Sequence, residues 1–207
     1  MIEPFIAGVI AGYGIAIPVG PVAVLIIELG MRRGFRTALA GGLGAATADA
    51  LYATLAAVAG ATIALAFEPI TPALRLLAAL VLAVIAASGI HQTVRRAESG
   101  TSTQRGGNEL TQTRRTYLRF LAITLLNPTT VLFFGALMLG RPELGSGPAE
   151  RTAFIAGAGL ASASWQSLLA VFGVLAHRRL PVRAQTAISL VGSGVVAGFA
   201  VLMVLPV

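Results

Sequence analysis

The sequence predicts an all-α membrane protein of six transmembrane helices, arranged as two inverted-topology repeats of three, with helices 1 and 4 broken. Three observations carry that prediction. Hydrophobic residues make up 56% of the 207 and charged residues 11%, against roughly 25% charged in a soluble domain. Arg36-Thr37-Ala38 opens a Gly-rich apolar stretch, RTALAGGLGAATADALY, and Arg151-Thr152-Ala153 opens another 115 residues later, RTAFIAGAGLASASWQS. A proline interrupts the apolar run ahead of each copy, Pro18 twelve residues before Gly30 and Pro128 twelve before Gly140. In transporters, a hydrophobic unit written twice with a broken helix in each copy places the solute site where the breaks meet.

Apolar runs of about 20 residues, enough to cross a hydrocarbon layer of ~30 Å, give the elements in order. Span 1 covers 4–28; the acidic Glu3 stands where a secretory signal would carry positive charge, so a retained span is expected. Span 2 covers 38–66 and turns through Glu68-Pro69-Ile70-Thr71-Pro72 into span 3, 73–91. These make the first repeat, 1–91. Gln92 to Thr116 is rich in Arg, Thr, Gly and Gln, presents no apolar face, and is expected to be a flexible cytoplasmic loop. The second repeat, 117–207, holds span 4 (117–140), a turn through Arg141 to Pro148, span 5 (152–176) and span 6 (185–206). Twelve of the fifteen arginines fall on the first, third and fifth loops and three on the second and fourth, which puts both termini outside the cytoplasm of an inner, plasma membrane. Three spans per unit is an odd number, so the two copies must enter the bilayer in opposite directions.

Composition also excludes functions. Without cysteine there is no disulfide framework, thiolate metal site or cysteine nucleophile. The net charge of +7 comes from arginine alone and sits in short loops without interleaved exposed aromatics, so membrane orientation accounts for it and nucleic acid is not an expected partner. No Gly-rich loop follows a strand, no phosphate-binding GK[ST] occurs, and no nucleophile is paired with a base, so no enzyme and no cofactor are expected. With only His91 and His177, far apart and at span ends, a dedicated metal site is not expected either.

The chemistry is expected at the breaks and at one acid. Pro18, Gly20 and Pro21 interrupt helix 1; each proline removes an amide and clashes with the preceding turn, freeing backbone groups that must line protein or a wet cavity. Asn127-Pro128 repeats the feature in helix 4, where the asparagine can satisfy freed backbone groups or bind a solute's polar end. Asp49 is the one acid well inside a span, about 20 Å along the helix from Arg36 at 1.5 Å per residue. An ionisable group there costs at least ~2.5–3.5 kcal/mol on insertion scales and faces a partner or water. It can pair with a substrate ammonium, carry a coupling proton, or serve only to hold helix 2 against a neighbour. The 115-residue spacing sets Asp49 over Ser164, and Ser162, Ser164 and Gln166 recur at helical spacing as interhelical glue or as the second half's answer to Asp49. Glu28 is expected to pair with Arg32 one turn on.

These residues resemble the LysE-type small exporters of amino acids. The resemblance rests on GYGIAIPVGPVAVLIIELGMRRGFRTALAGGLGAATADALYATLAAVAG and on NPTTVLFFGALM, and is thin in helices 3 and 6. The family's first break commonly reads PGP; here Val19 separates Pro18 from Gly20-Pro21. The resemblance implies a proton-driven inner-membrane exporter acting on amino acids or related small solutes, with relatives that handle metal ions. The partners are then a small-molecule solute, protons and the lipid bilayer, with room for a homo-oligomer. The alternatives are a passive channel, a non-transporting membrane scaffold, or an exporter of a metal ion or other small solute.

Overall fold

A computed structural model describes residues 2–18, 20–59, 71–99, 109–179 and 181–204. Among these are eight α-helices and no strand: α1 (Ile2–Ala16), α2 (Pro21–Arg33), α3 (Phe35–Ala59), α4 (Thr71–Ser99), α5 (Glu109–Leu125), α6 (Pro128–Gly140), α7 (Pro148–Arg179) and α8 (Val182–Val204), with a 3-10 turn at Pro142–Gly145. Residues 60–70, which contain the end of span 2 and most of the expected turn into span 3, lie outside the described residues.

Two of these helices, α3 and α7, are long and apolar enough to cross a membrane, and up to four spans result if each bent pair counts as one. Helices α1 and α2 bend by 77° at their break, and α5 and α6 by 57°. The other two expected spans fall on α4 and α8, whose apolar stretches are the shorter Ala79–His91 and Ala184–Gly198. The expected loop from Gln92 to Thr116 is shorter than its composition suggested. Helix α4 runs on to Ser99 and α5 starts at Glu109, because Glu, Leu, Gln and Arg are good helix formers and a helix leaving the hydrocarbon can continue into water. Residues 100–108 lie outside the described residues.

The centre is an antiparallel crossing of α3 and α7, in which Gly42 lies on Gln166, Asp49 on Ser162, and Ala50 on Gly159. Helix α1 packs along α7, and α5 along α3. Both contacts are made in one way. A Cβ at Gly157 would run into the carbonyl oxygen of Phe5 and lie 2.9 Å from the Val9 nitrogen; one at Gly44 would run into the carbonyl oxygen of Tyr117 and lie 3.1 Å from the Leu121 nitrogen. Only glycine lets the backbones approach so closely. Helix α2 meets α7 at a third such point, Gly30 against Gly173. Helices α4 and α8 pack on each other at the side, with Leu82, Ile85, Ala86, Ile123 and Val196 forming a common core.

The ends of the helices follow from their sequences. Gly34, at φ 79°, stops α2 and lets α3 begin at the next residue. Pro148 opens α7, Glu150 sits in its first turn, and His177, Arg178 and Arg179 fill its last, each sign where the helix dipole favours it.

Candidate functional site

Helical bonding in α1 ends with the Ile17 amide on the Tyr13 carbonyl, at 2.9 Å. It resumes when the Val24 amide meets the Gly20 carbonyl at 3.3 Å. Gly20 is extended, and as the N-cap of α2, which starts at Pro21, it offers no side chain to the first-turn amides. At the second break the Asn127 amide donates to Thr124 O at 3.0 Å, and α6 starts at Pro128. The proline that starts each second half-helix is thus Pro21 or Pro128, while Pro18 is exposed within the first gap.

The two breaks border one small pocket. Its walls are Pro21 and Val22 of α2, Val81 and Leu82 of α4, and Ile123, Leu126 and Asn127 of the second break. Four of the expected residues, Gly20, Pro21, Asn127 and Pro128, therefore lie at or beside this junction. Asp49 lies at the α3–α7 crossing instead. It is 4% exposed, and its Oδ2 accepts a hydrogen bond from Ser162 Oγ at 2.6 Å. One turn beyond Ser162, Gln166 is buried and its Oε1 has no hydrogen-bond partner among the described residues.

Ser164 does not stand opposite Asp49. Its hydroxyl shares a 2.8 Å hydrogen bond with Tyr13 Oη and donates to Ala161 O. The residue that meets Asp49 lies 113 residues on, not the 115 of the two Arg-Thr-Ala copies, and Gly157 follows Gly44 by the same number. The physical reason is that contact is set by where glycines allow backbones to meet, and the Arg-Thr-Ala triplets lie at helix starts, away from the crossing.

Three tyrosines missed by sequence reasoning tie the elements together. Tyr13 bridges α1 to α7 as above, and Tyr117 Oη donates to Thr47 Oγ1 at 2.9 Å between α5 and α3. Tyr52, one turn beyond Asp49 and buried, donates its hydroxyl to Leu125 O at the last residue of α5. An aromatic with a polar end, one turn from the buried acid, is the signal that could have found it. At the other end of the α2 helix, Glu28 and Arg32 form the expected pair at 2.8 Å, and Arg32 also reaches Thr93 of α4. His177, in the last turn of α7, shares a 2.9 Å hydrogen bond with Gln185.

A profile of the LysE type translocator family matches residues 14–206. No curated protein and no solved structure matches the chain. The match covers nearly the whole chain, both breaks and the crossing, so the chain belongs to the LysE type translocator family: membrane proteins that export small solutes, and transporters rather than enzymes.

Proposed function

We propose that this LysE type translocator is a secondary active exporter of an amino acid or related small solute, driven by the proton gradient across the inner membrane. The observation that carries the reading is Asp49. A carboxylate buried in a membrane-crossing helix, held by a neutral hydroxyl and with no ion-pair partner among the described residues, is open to a substrate ammonium or to a proton. The start of α2, whose N-cap glycine offers no side chain, gives the positive end of a half-helix, and Asn127 lines the same pocket. A substrate carboxylate would rest there, while Asp49 meets its ammonium or carries the coupling proton.

The architecture proposed for this task is six spans in two inverted repeats. Its support is the antiparallel α3–α7 crossing, the identical Gly44 and Gly157 contacts, and a bent half-helix pair in each half. The arginine asymmetry supports placing both termini outside the cytoplasm. Single cysteines, Ser102→Cys and Val207→Cys, in this cysteine-free chain should label from opposite sides.

The functional test is flux of labelled amino acids in proteoliposomes, with and without an imposed pH gradient. Gradient-dependent flux of at least one amino acid is expected. Flux indifferent to the gradient would make the protein a channel, and no flux of any amino acid would overturn the reading.

A further inference from the structure

Tyr52 and Trp165 stand in the same relation to the two halves, and only one of them is hydrogen-bonded. They are 113 residues apart, the separation that pairs Gly44 with Gly157 and Asp49 with Ser162. Tyr52 packs into the core formed with Val131, Phe134 and Met138 of α6, just past the second break. Trp165 packs against the core containing Ala23 and Ile26 of α2, just past the first. The Tyr52 hydroxyl is engaged on Leu125 O, the carbonyl that closes α5. The Trp165 Nε1–H is buried and has no partner among the described residues.

Carried through the shared Phe5–Gly157 and Tyr117–Gly44 contacts, the counterpart of the Leu125 carbonyl is that of Tyr13. That carbonyl is taken by the Ile17 amide, because α1 runs one turn further before its break. Tyr52 thus bonds the carbonyl that ends α5, and among the described residues Trp165 makes no matching bond.

We propose that Tyr52 and Trp165 are alternating positioning residues: in the opposite-facing state Trp165 Nε1–H donates to a carbonyl in the last turn of α1, and Tyr52 releases Leu125. This rests on the inverted-repeat transporter reading, in which the halves exchange conformations as access alternates. Pro18 and Pro21 favour the exchange, since neither supplies the amide that would otherwise hold the Gly14 and Ile17 carbonyls in a continuous helix. Neither aromatic touches substrate in this scheme; each sets whether the half-helix beside it is bent or wound.

Trp165 is the one tryptophan in the chain, so its indole N–H gives a single ¹⁵N-indole NMR signal from the full protein in lipid nanodiscs. Tyr52→Phe should move that signal downfield, to the position of a hydrogen-bonded indole, by removing the bond that favours the present state; Tyr52→His, which keeps a ring donor, should leave it in place. A signal unmoved by Tyr52→Phe, or already hydrogen-bonded in the parent, overturns the proposal. If Tyr52→Phe does not fold, Trp165→Phe gives the second reading. It removes an N–H that is unpaired here, so the thermal midpoint should hold while uptake falls at least tenfold. A parallel loss of midpoint and uptake would mark Trp165 as an ordinary core residue and overturn the proposal. Absence of flux in the parent would bear on the exporter reading and leave the NMR result standing on its own.

Discussion

The two breaks solve one physical problem with different residues. In the first, Pro18 and Pro21 withhold two amides, and the chain bends by 77° where Gly20 is extended. In the second, two residues suffice, Leu126 and Asn127, and the bend is 57°. There the Asn127 amide turns back to Thr124 O, and Tyr52 from α3 takes the Leu125 carbonyl. The first break is thus made by residues that cannot bond, and the second by residues that bond elsewhere. Freed backbone groups cost several kcal/mol in hydrocarbon unless they are met by protein or a wet cavity. Prolines withhold their amides whatever the neighbouring helices do, whereas a carbonyl held by a tyrosine from another helix can be let go.

If the halves are equivalent in their packing and differ only at the breaks, changes at matched packing positions should cost the same. Gly44→Ala and Gly157→Ala each drive a methyl into a backbone carbonyl, so each should lower stability by about 1–3 kcal/mol or more. Gly198→Ala, with nothing within 4 Å, should be nearly neutral. Thermal midpoints in detergent check all three, and a large loss at only one of the two buried glycines would break the equivalence. Ser162→Ala removes the donor to a buried carboxylate, worth about 1.5–3 kcal/mol. Ser164→Ala loses a hydroxyl pair with Tyr13, worth about 0.5–1.5 kcal/mol, so Ser162 should rank above Ser164 in both stability and flux.

At the breaks themselves, Asn127→Ala should reduce flux about tenfold, or ~1.4 kcal/mol, by removing the amide from the pocket wall. Pro21→Ala, which restores one amide to α2, should have a smaller effect, and the reverse order would make the first break the dominant one. The smallest effect is expected at the surface. Arg141 bonds Glu3 at 2.7 Å and Glu143 at 2.8 Å, and its hydrogen bond holds the Glu143 carboxyl below the usual carboxylate range. Any stability from that shift is present above the usual range and lost as pH falls through the lowered value. Because the group is exposed, Arg141→Gln should leave the midpoint unchanged at neutral pH.

Much of this was legible in the sequence because bilayer physics is coarse. Composition, breakers and the repeat placed α1 with α2, α3, α5 with α6, and α7, and the buried acid stood out because so few charges occur in spans. The register was misread because two registers compete. At 115 residues the Arg-Thr-Ala triplets coincide. At 113, Gly44-Ala45, Ala48-Asp49-Ala50 and Tyr52 fall on Gly157-Ala158, Ala161-Ser162-Ala163 and Trp165. The second match is weaker to the eye, being mostly alanine, yet it holds Asp49 and Ser162, which touch, and the two glycines on which α5 and α1 pack. The tyrosine bridges were not legible, since which carbonyl a phenol reaches depends on helix crossings that periodicity does not fix. The helical ends of the expected Gln92–Thr116 loop were missed because polar composition was taken as disorder, when those residues also propagate a helix in water.

The most direct test of the account is Asp49→Asn, reconstituted at matched levels in proteoliposomes with an imposed pH gradient. The substitution keeps the shape of the side chain at the α3–α7 crossing, and Ser162 can still donate to the remaining carbonyl oxygen. Insertion and thermal midpoint should therefore be normal, while gradient-driven flux falls at least tenfold, or ~1.4 kcal/mol. Asp49→Glu should retain part of the activity. Flux equal to the parent with the same dependence on the gradient would make Asp49 a structural residue and contradict the account.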